Sequence, residues 1–104
     1  MTLQEIINLE RTVVHCPTEI SAIVFLNTLH SMGYKWASGN SYLNNSKWKN
    51  YEKNTCYFIE DGTYARLSYF QNNNYKIISV FDIPELSFKK EIKRIKLIKD
   101  ETDR

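Results

Sequence analysis

The stretch between Thr18 and Gly33 constrains the fold of this chain more than any other part, because its pattern predicts one helix with clear ends. Thr18 is a suitable N-cap, and Gly33 stands where helices commonly end in the left-handed conformation. Apolar residues recur between them at the spacing of one helical face: Ala22, Phe25, Leu26, Leu29 and Met32. A helix with this face must bury it, and we expect a sheet beneath it.

Short runs of β-branched and aromatic residues predict that sheet. We expect strands at residues 12–16, 34–37, 55–60, 63–68 and 75–81. Asp61-Gly62 lies between two of these runs and predicts a hairpin with a type I′ turn, which needs positive φ at both residues. The predicted fold class is α+β, a small mostly antiparallel sheet with one main helix, at 18–32, packed on a face.

Two further short helical segments are predicted outside the main helix. Thr2 and Glu5 have the T-x-x-E spacing of a capping box, which predicts a short N-terminal helix over residues 3–9. One helical turn is expected at 69–74, with Asn74 in the left-handed conformation.

The segment after Pro84 predicts a basic C-terminal helix, although residues 94–98 would also fit a strand. Its basic residues are either solvated or a contact for nucleic acid or an acidic partner. The candidates are Lys89, Lys90, Lys93, Arg94 and Lys96. With 104 residues the chain has the size of a single domain, 1–104. We expect its core at about 12–81 and a basic extension at 84–104.

The residues that usually carry catalysis or bind metals do not form a recognisable motif. Cys16, Cys56, His15 and His30 have neither metal-ligand spacing nor the arrangement of a nucleophilic pair. Three glycines are too few for a phosphate loop or a dinucleotide fingerprint. We therefore expect no catalytic residue, no metal and no cofactor, and an enzyme hypothesis would rest on the two cysteines alone.

Residues 36–53 form the best candidate binding site, because aromatic residues alternate there with lysines and small polar residues. Residues 35–53 carry a net charge of +3 from four lysines and Glu52, more than the +2 of the whole chain. The candidate site residues are Trp36, Ser38, Gly39, Ser41, Tyr42, Lys47, Trp48, Lys49 and Tyr51.

This pattern allows several interpretations. Tryptophan and tyrosine dominate binding hot spots. Aromatic rings beside lysines can also stack nucleotide bases and counter phosphate, and the Ser38-Gly39 turn could offer backbone N–H groups to an anion. A structural alternative is that Trp48 and Tyr51, three residues apart, pack a helical turn onto the sheet.

Several motifs carry a resemblance over about residues 13–81. They are Val14-His15-Cys16-Pro17-Thr18-Glu19, Leu29-His30-Ser31-Met32-Gly33-Tyr34-Lys35-Trp36, Ser38-Gly39-Asn40-Ser41, Trp48, Tyr51, Asn54-Thr55-Cys56-Tyr57 and Tyr75-Lys76-Ile77-Ile78. In these motifs the chain resembles small uncharacterised proteins from phages, prophages and plasmids of low-GC Gram-positive bacteria. Ser79 and Val80 depart from the acidic and aromatic residues that often follow in such proteins. The resemblance implies a class that includes anti-CRISPR inhibitors and sequestrants of defence nucleotides.

The resulting expectation is a non-catalytic phage-type binding protein that inhibits a host defence component by protein–protein contact. The alternative is a binder or sequestrant of a nucleotide signal or short nucleic acid. The pI of about 8.5 disfavours that alternative, since nucleic-acid-binding domains usually exceed about 9. With no long apolar run and no secretion signal in the sequence, we expect action in the bacterial host cytoplasm without a membrane partner.

Overall fold

A computed structural model describes residues 1–43 and 46–86 of the chain. The helices are α1 (Leu3–Ile7), α2 (Glu19–Ser31) and α3 (Leu67–Asn72), and the strands are β1 (Thr12–His15), β2 (Thr55–Phe58), β3 (Thr63–Arg66) and β4 (Lys76–Ser79). Short 3-10 turns occur at Trp48–Asn50, Glu52–Asn54, Val80–Asp82 and Pro84–Leu86. The predicted basic C-terminal helix and its candidates Lys89, Lys90, Lys93, Arg94 and Lys96 lie outside the described residues.

The four strands form one mixed sheet in the order β3-β2-β1-β4. β2 is antiparallel to both β1 and β3, whereas β4 pairs with β1 in parallel. Val14 in β1 pairs with Tyr57 on one side and with Ile78 on the other, so these three side chains share the face that α2 covers. The predicted α+β class with a mostly antiparallel sheet is confirmed.

Helix α2 follows the local signals in the sequence closely. The Thr18 hydroxyl accepts a hydrogen bond from the Ser21 N–H at 3.1 Å, which satisfies a free donor at the helix start. At the other end Gly33 has φ +94°, and the Tyr34 N–H donates to the Leu29 carbonyl at 3.0 Å. This is the Schellman ending that a glycine at this position predicts.

The sheet has an apolar cluster on each face. On the α2 face, Phe25 and Leu29 pack with Val14 and Tyr57. On the opposite face, Val13, Cys56 and Phe58 pack against Phe70 of α3. The α2-side core also includes residues outside the predicted 12–81: Leu3, Ile6, Ile83 and Leu86. Both ends of the described chain therefore belong to the folded unit.

Two of the short helical predictions are confirmed with shifted ends. Helix α1 has the expected capping box, in which the Thr2 hydroxyl accepts from the Glu5 N–H at 3.2 Å, but it ends at Ile7. Helix α3 starts at Leu67, inside the predicted strand 63–68. Asn74 then takes φ +61°, as expected, and Tyr75 donates to the Phe70 carbonyl at 3.0 Å.

The predicted strand at 34–37 is wrong. The Trp36 N–H donates to the Asn40 carbonyl and the Gly39 N–H to the Trp36 carbonyl, so the chain turns back on itself after leaving α2. A backbone hydrogen bond from the Ala37 N–H to the Gly62 carbonyl, at 3.0 Å, connects this turn to the hairpin. The other predicted strands exist but are shorter than expected.

The predicted two-residue type I′ turn at Asp61-Gly62 is also wrong. Phe58 pairs with Thr63, which leaves a four-residue loop in which Gly62 has φ +67° while Asp61 has no positive φ. Gly62 is required here for a second reason: a Cβ at this position would lie 2.6 Å from the Ala37 nitrogen. The hairpin loop therefore packs closely against the turn that follows α2.

Candidate functional site

The fold separates the aromatic residues of segment 36–53 into two groups. Trp36 and Tyr42 are only 6 % and 4 % exposed, and their rings meet edge to face at 4.7 Å. Trp36 also packs against Tyr57 of β2, with ring centroids 6.1 Å apart. We call these three residues the buried aromatic group. Because Trp36 and Tyr42 are buried in the core, their side chains do not form the predicted partner- or ligand-binding surface.

Trp48 anchors the loop to the core. It is half-buried, and its indole N–H donates to the Cys16 carbonyl at 2.9 Å. It begins a 3-10 turn after Lys47, which is half-buried and has φ +62°. Trp48 therefore fits the structural alternative, in which its side chain packs a helical turn onto the sheet.

Tyr51 belongs to a partly exposed cluster at the β3 edge of the sheet. Its ring lies 5.7 Å from that of Tyr64, and the Arg66 guanidinium lies over it at 5.1 Å from the centroid. The Asn50 side-chain amide donates to the Tyr64 hydroxyl. We call Lys49, Asn50, Tyr51, Tyr64 and Arg66 the Tyr51 surface.

This surface concentrates positive charge. Lys49 and Arg66 are exposed and form no ion pair within the described residues, while Glu52 and Lys53 follow Tyr51 in the sequence with opposite charges. Residues 1–86 as a whole contain seven basic and eight acidic side chains, a net charge of −1. A basic surface on a slightly acidic unit attracts negatively charged groups of a partner.

A shallow depression lies at the C-terminal end of α2, with a volume of about 180 Å³. We call it the His30 pocket; its lining residues are His30, Gly33, Tyr34, Lys35, Gly39 and Ser41. The Ser41 hydroxyl and His30 Nδ1 are hydrogen-bonded at 3.3 Å. Two predicted site residues, Gly39 and Ser41, thus lie together with two basic residues of the preceding segment.

The turn next to this pocket uses its own backbone donors. The Gly39 N–H donates to the Trp36 carbonyl at 2.8 Å, and the Asn40 N–H donates to the Ser38 hydroxyl at 3.3 Å. The Leu43 N–H donates to the Ser41 hydroxyl at 3.1 Å. The expectation that the Ser38-Gly39 turn offers free N–H groups to an anion is therefore wrong for Gly39, and the neighbouring Asn40 N–H is also in use.

The two cysteines lie in the core on opposite faces of the sheet. Cys16 and Cys56 are fully buried, and burial raises the pKa of Cys16 well above its usual value. Burial also raises the pKa of Cys56 to about 12. Nucleophilic cysteines need exposure and a lowered pKa. The His15 Nε2 contacts the Lys53 carbonyl at 2.7 Å, which gives this imidazole a backbone partner.

Two features are absent from residues 1–43 and 46–86. These residues contain no group of three His, Cys, Asp or Glu side chains that could hold a metal ion. Within the same ranges, no helix has the length and apolar character needed to cross a bilayer.

Sequence reasoning missed Tyr64, Arg66 and His30 as site residues. The first two carried a usable signal, since residues i and i+2 of a strand point to the same face and 63–68 was predicted as a strand. Their contact with Tyr51 had no signal in the sequence, because it depends on how the loop returns to the sheet.

Comparison of the chain with protein-family models, curated proteins and solved structures finds no match.

Proposed function

We propose that this chain is a non-catalytic binding protein whose Tyr51 surface contacts another protein. The observation that carries the proposal is the position of Arg66 over the Tyr51 ring, within a basic patch at the β3 edge. Tyrosine and arginine are among the residues most enriched in interface hot spots. A stacked guanidinium keeps its planar set of N–H donors for a carboxylate, so an acidic protein surface fits best.

The alternative function, binding of a nucleotide or short nucleic acid, has weaker support. Base stacking needs an open ring face, and Arg66 occupies a face of Tyr51. Trp36 is buried, and Trp48 is held to the Cys16 carbonyl. This alternative is still supported by the positive charge of Lys49, Lys53 and Arg66.

The resemblance to small phage and mobile-element proteins supplies the proposed partner class. On that basis the partner is a protein of a bacterial defence system, and binding inhibits it, as an anti-CRISPR protein would. The proposed place of action is the host cytoplasm. This part of the proposal rests on the resemblance, whereas the contact surface rests on the Tyr51 geometry.

The test uses immobilised protein and lysate from a low-GC Gram-positive host that has active defence systems. We expect wild type to retain a specific protein, and Tyr51→Ala or Arg66→Glu to weaken its binding at least about thirtyfold, the loss of one hot spot. The matched controls are Tyr69→Ala, an exposed tyrosine on α3, and Lys76→Glu, an exposed base on the opposite edge strand. Both controls should bind like wild type.

Two results would overturn the proposal. One is that wild type retains no protein; the other is that the controls lose binding as much as the Tyr51 and Arg66 variants do. The defence assignment has its own readout, the plating efficiency of a phage on a defended host that expresses the chain. It should rise with wild type and Lys76→Glu and stay low with Arg66→Glu; equal plating with and without the chain contradicts inhibition.

A further inference from the structure

We infer that the His30 pocket binds one tetrahedral oxyanion, the phosphoryl group of inorganic phosphate or of a small phosphate ester. This site is separate from the Tyr51 surface and does not depend on the proposed protein contact. The inference rests on the side chains that converge on the pocket, on the space between them and on their charge.

Three polar side chains line the pocket: Lys35 brings charged donors, whereas the hydrogen bond between His30 and Ser41 already uses one donor of that pair. His30 comes from the last turn of α2, Lys35 from the segment that follows it, and Ser41 from beyond the turn. No acidic residue lines the pocket, and Lys35 has no hydrogen bond or ion pair within the described part of the chain. Charge-assisted hydrogen bonds from such groups are among the stronger contacts an oxyanion can make.

The shape of the pocket sets the size of the ligand. Gly33 and Gly39 line it with φ of +94° and +92°, and a Cβ on either would meet no atom within 4 Å, so the space beside them is open. The volume of about 180 Å³ lies below the roughly 300–1,000 Å³ of sites that enclose a whole small molecule. The pocket therefore holds a single phosphoryl group and leaves the rest of an ester in solvent.

The C-terminal end of α2 carries a partial negative charge, which disfavours a bound anion. A helix C-terminus carries about half a negative charge, whereas Lys35 brings a full positive charge. The helix end is also partly neutralised, because its last carbonyls accept from Met32, Gly33 and Tyr34. The full charge of Lys35 exceeds the residual charge of the helix end, and the donor that the hydrogen-bonded pair of His30 and Ser41 retains adds to it.

The experiment is an amide NMR titration of the full chain at constant ionic strength. The probes are inorganic phosphate, adenosine monophosphate and adenosine, with chloride as the balancing anion. Phosphate should give saturable shifts confined to the amides around Gly33, Lys35 and Ser41. Lys35→Gln should weaken binding about tenfold, the contribution of one charge-assisted hydrogen bond, and His30→Gln should weaken it less. Lys53→Gln is the matched control, an exposed lysine away from the pocket, and should bind like wild type.

The three probes separate the source of the phosphoryl group. Equal affinity for phosphate and adenosine monophosphate supports a site for the bare group, and tighter binding of the monophosphate supports an ester ligand. The inference is overturned if phosphate gives no saturable shift. It is also overturned if adenosine alone shifts the same amides, or if Lys53→Gln reduces binding as much as Lys35→Gln does.

Discussion

Trp36 and Tyr42 of the buried aromatic group and Tyr51 of the Tyr51 surface come from the same aromatic and lysine-rich segment, 36–53, yet they differ in burial and in the strands they contact. Trp36 packs against Tyr42 and against Tyr57, which stands in the interior strand β2. Tyr51 packs onto Tyr64, which stands in the edge strand β3. Trp36 is buried and has a contact with the interior strand, whereas Tyr51, whose ring contact is with the edge strand, stays partly exposed. The following predictions test this division.

Removing the centre of the buried group should have the largest effect on stability. Trp36→Ala deletes a ring that contacts Tyr42, Tyr57 and Tyr64, and we expect a loss of about 3–5 kcal/mol in the free energy of unfolding. Urea denaturation followed by circular dichroism measures it. A loss below about 1 kcal/mol would show that Trp36 is not a core residue.

Stability should be nearly as sensitive to a substitution of Gly62, which lies against the turn that carries Trp36. Gly62→Ala adds a Cβ 2.6 Å from the Ala37 nitrogen at φ +67°, and we expect about 2–3 kcal/mol of destabilisation. Gly39→Ala is the matched control, since its φ of +92° is similarly unfavourable but its Cβ meets no atom within 4 Å. It should cost about 1 kcal/mol, the conformational cost alone. Equal losses for the two variants would mean that the close approach to Ala37 is unimportant.

Because several ionisable side chains are buried, the free energy of unfolding should also decrease at alkaline pH. Burial raises the pKa of Cys16, Cys56, Tyr42 and Tyr57 in the folded state. The unfolded chain then releases these protons first, so stability is full well below the unfolded thiol pKa of about 8.5 and falls as pH rises through and beyond that value. We expect a loss of about 2 kcal/mol between pH 8 and pH 9.5, mainly from the thiols.

Urea denaturation across this pH range tests that expectation, and Cys56→Ala should reduce the slope of stability against pH. The slope is compared instead of the absolute stability, because the substitution also changes packing. Stability that stays constant to pH 9.5 would contradict the thiol burial on which the division depends.

Changes in the Tyr51 surface should have the smallest effect on stability. Tyr51→Ala removes a half-buried ring and its contacts with Tyr64 and Arg66, which we expect to cost about 1 kcal/mol. The same urea measurement gives the value beside that of Trp36→Ala. If Tyr51→Ala destabilised the fold as much as Trp36→Ala, the two groups would form one core and the proposed contact surface would lose its basis.

The parts of the fold that were predictable from sequence are those with local causes. Helix α2 is bounded by the Thr18 cap and the Gly33 ending, and both act within a few residues. The capping box of α1 and the left-handed Asn74 are of the same kind. Such interactions are written in adjacent residues, so pattern and spacing are enough to find them.

The predictions that fail involve local turns or contacts between distant residues. The extended character of 34–37 was overridden by the turn at Trp36 to Asn40 and by the approach of Ala37 to Gly62. In the same way, Trp36 and Tyr51 have similar sequence surroundings and both contact Tyr64, and the additional contact of Trp36 with the buried Tyr57 distinguishes them. The sequence located the candidate segment, but the division of its residues between core and surface required the tertiary structure.

Tyr64 contacts both sides of this division, since its ring lies 5.6 Å from that of Trp36 and 5.7 Å from that of Tyr51. A group that settles on Tyr51 and moves Tyr64 would therefore alter the surroundings of a buried indole. In a Trp48→Phe background, where Trp36 is the sole tryptophan, its fluorescence would report occupancy of the surface without any attached dye. The chain thus contains an intrinsic optical sensor for its own binding event.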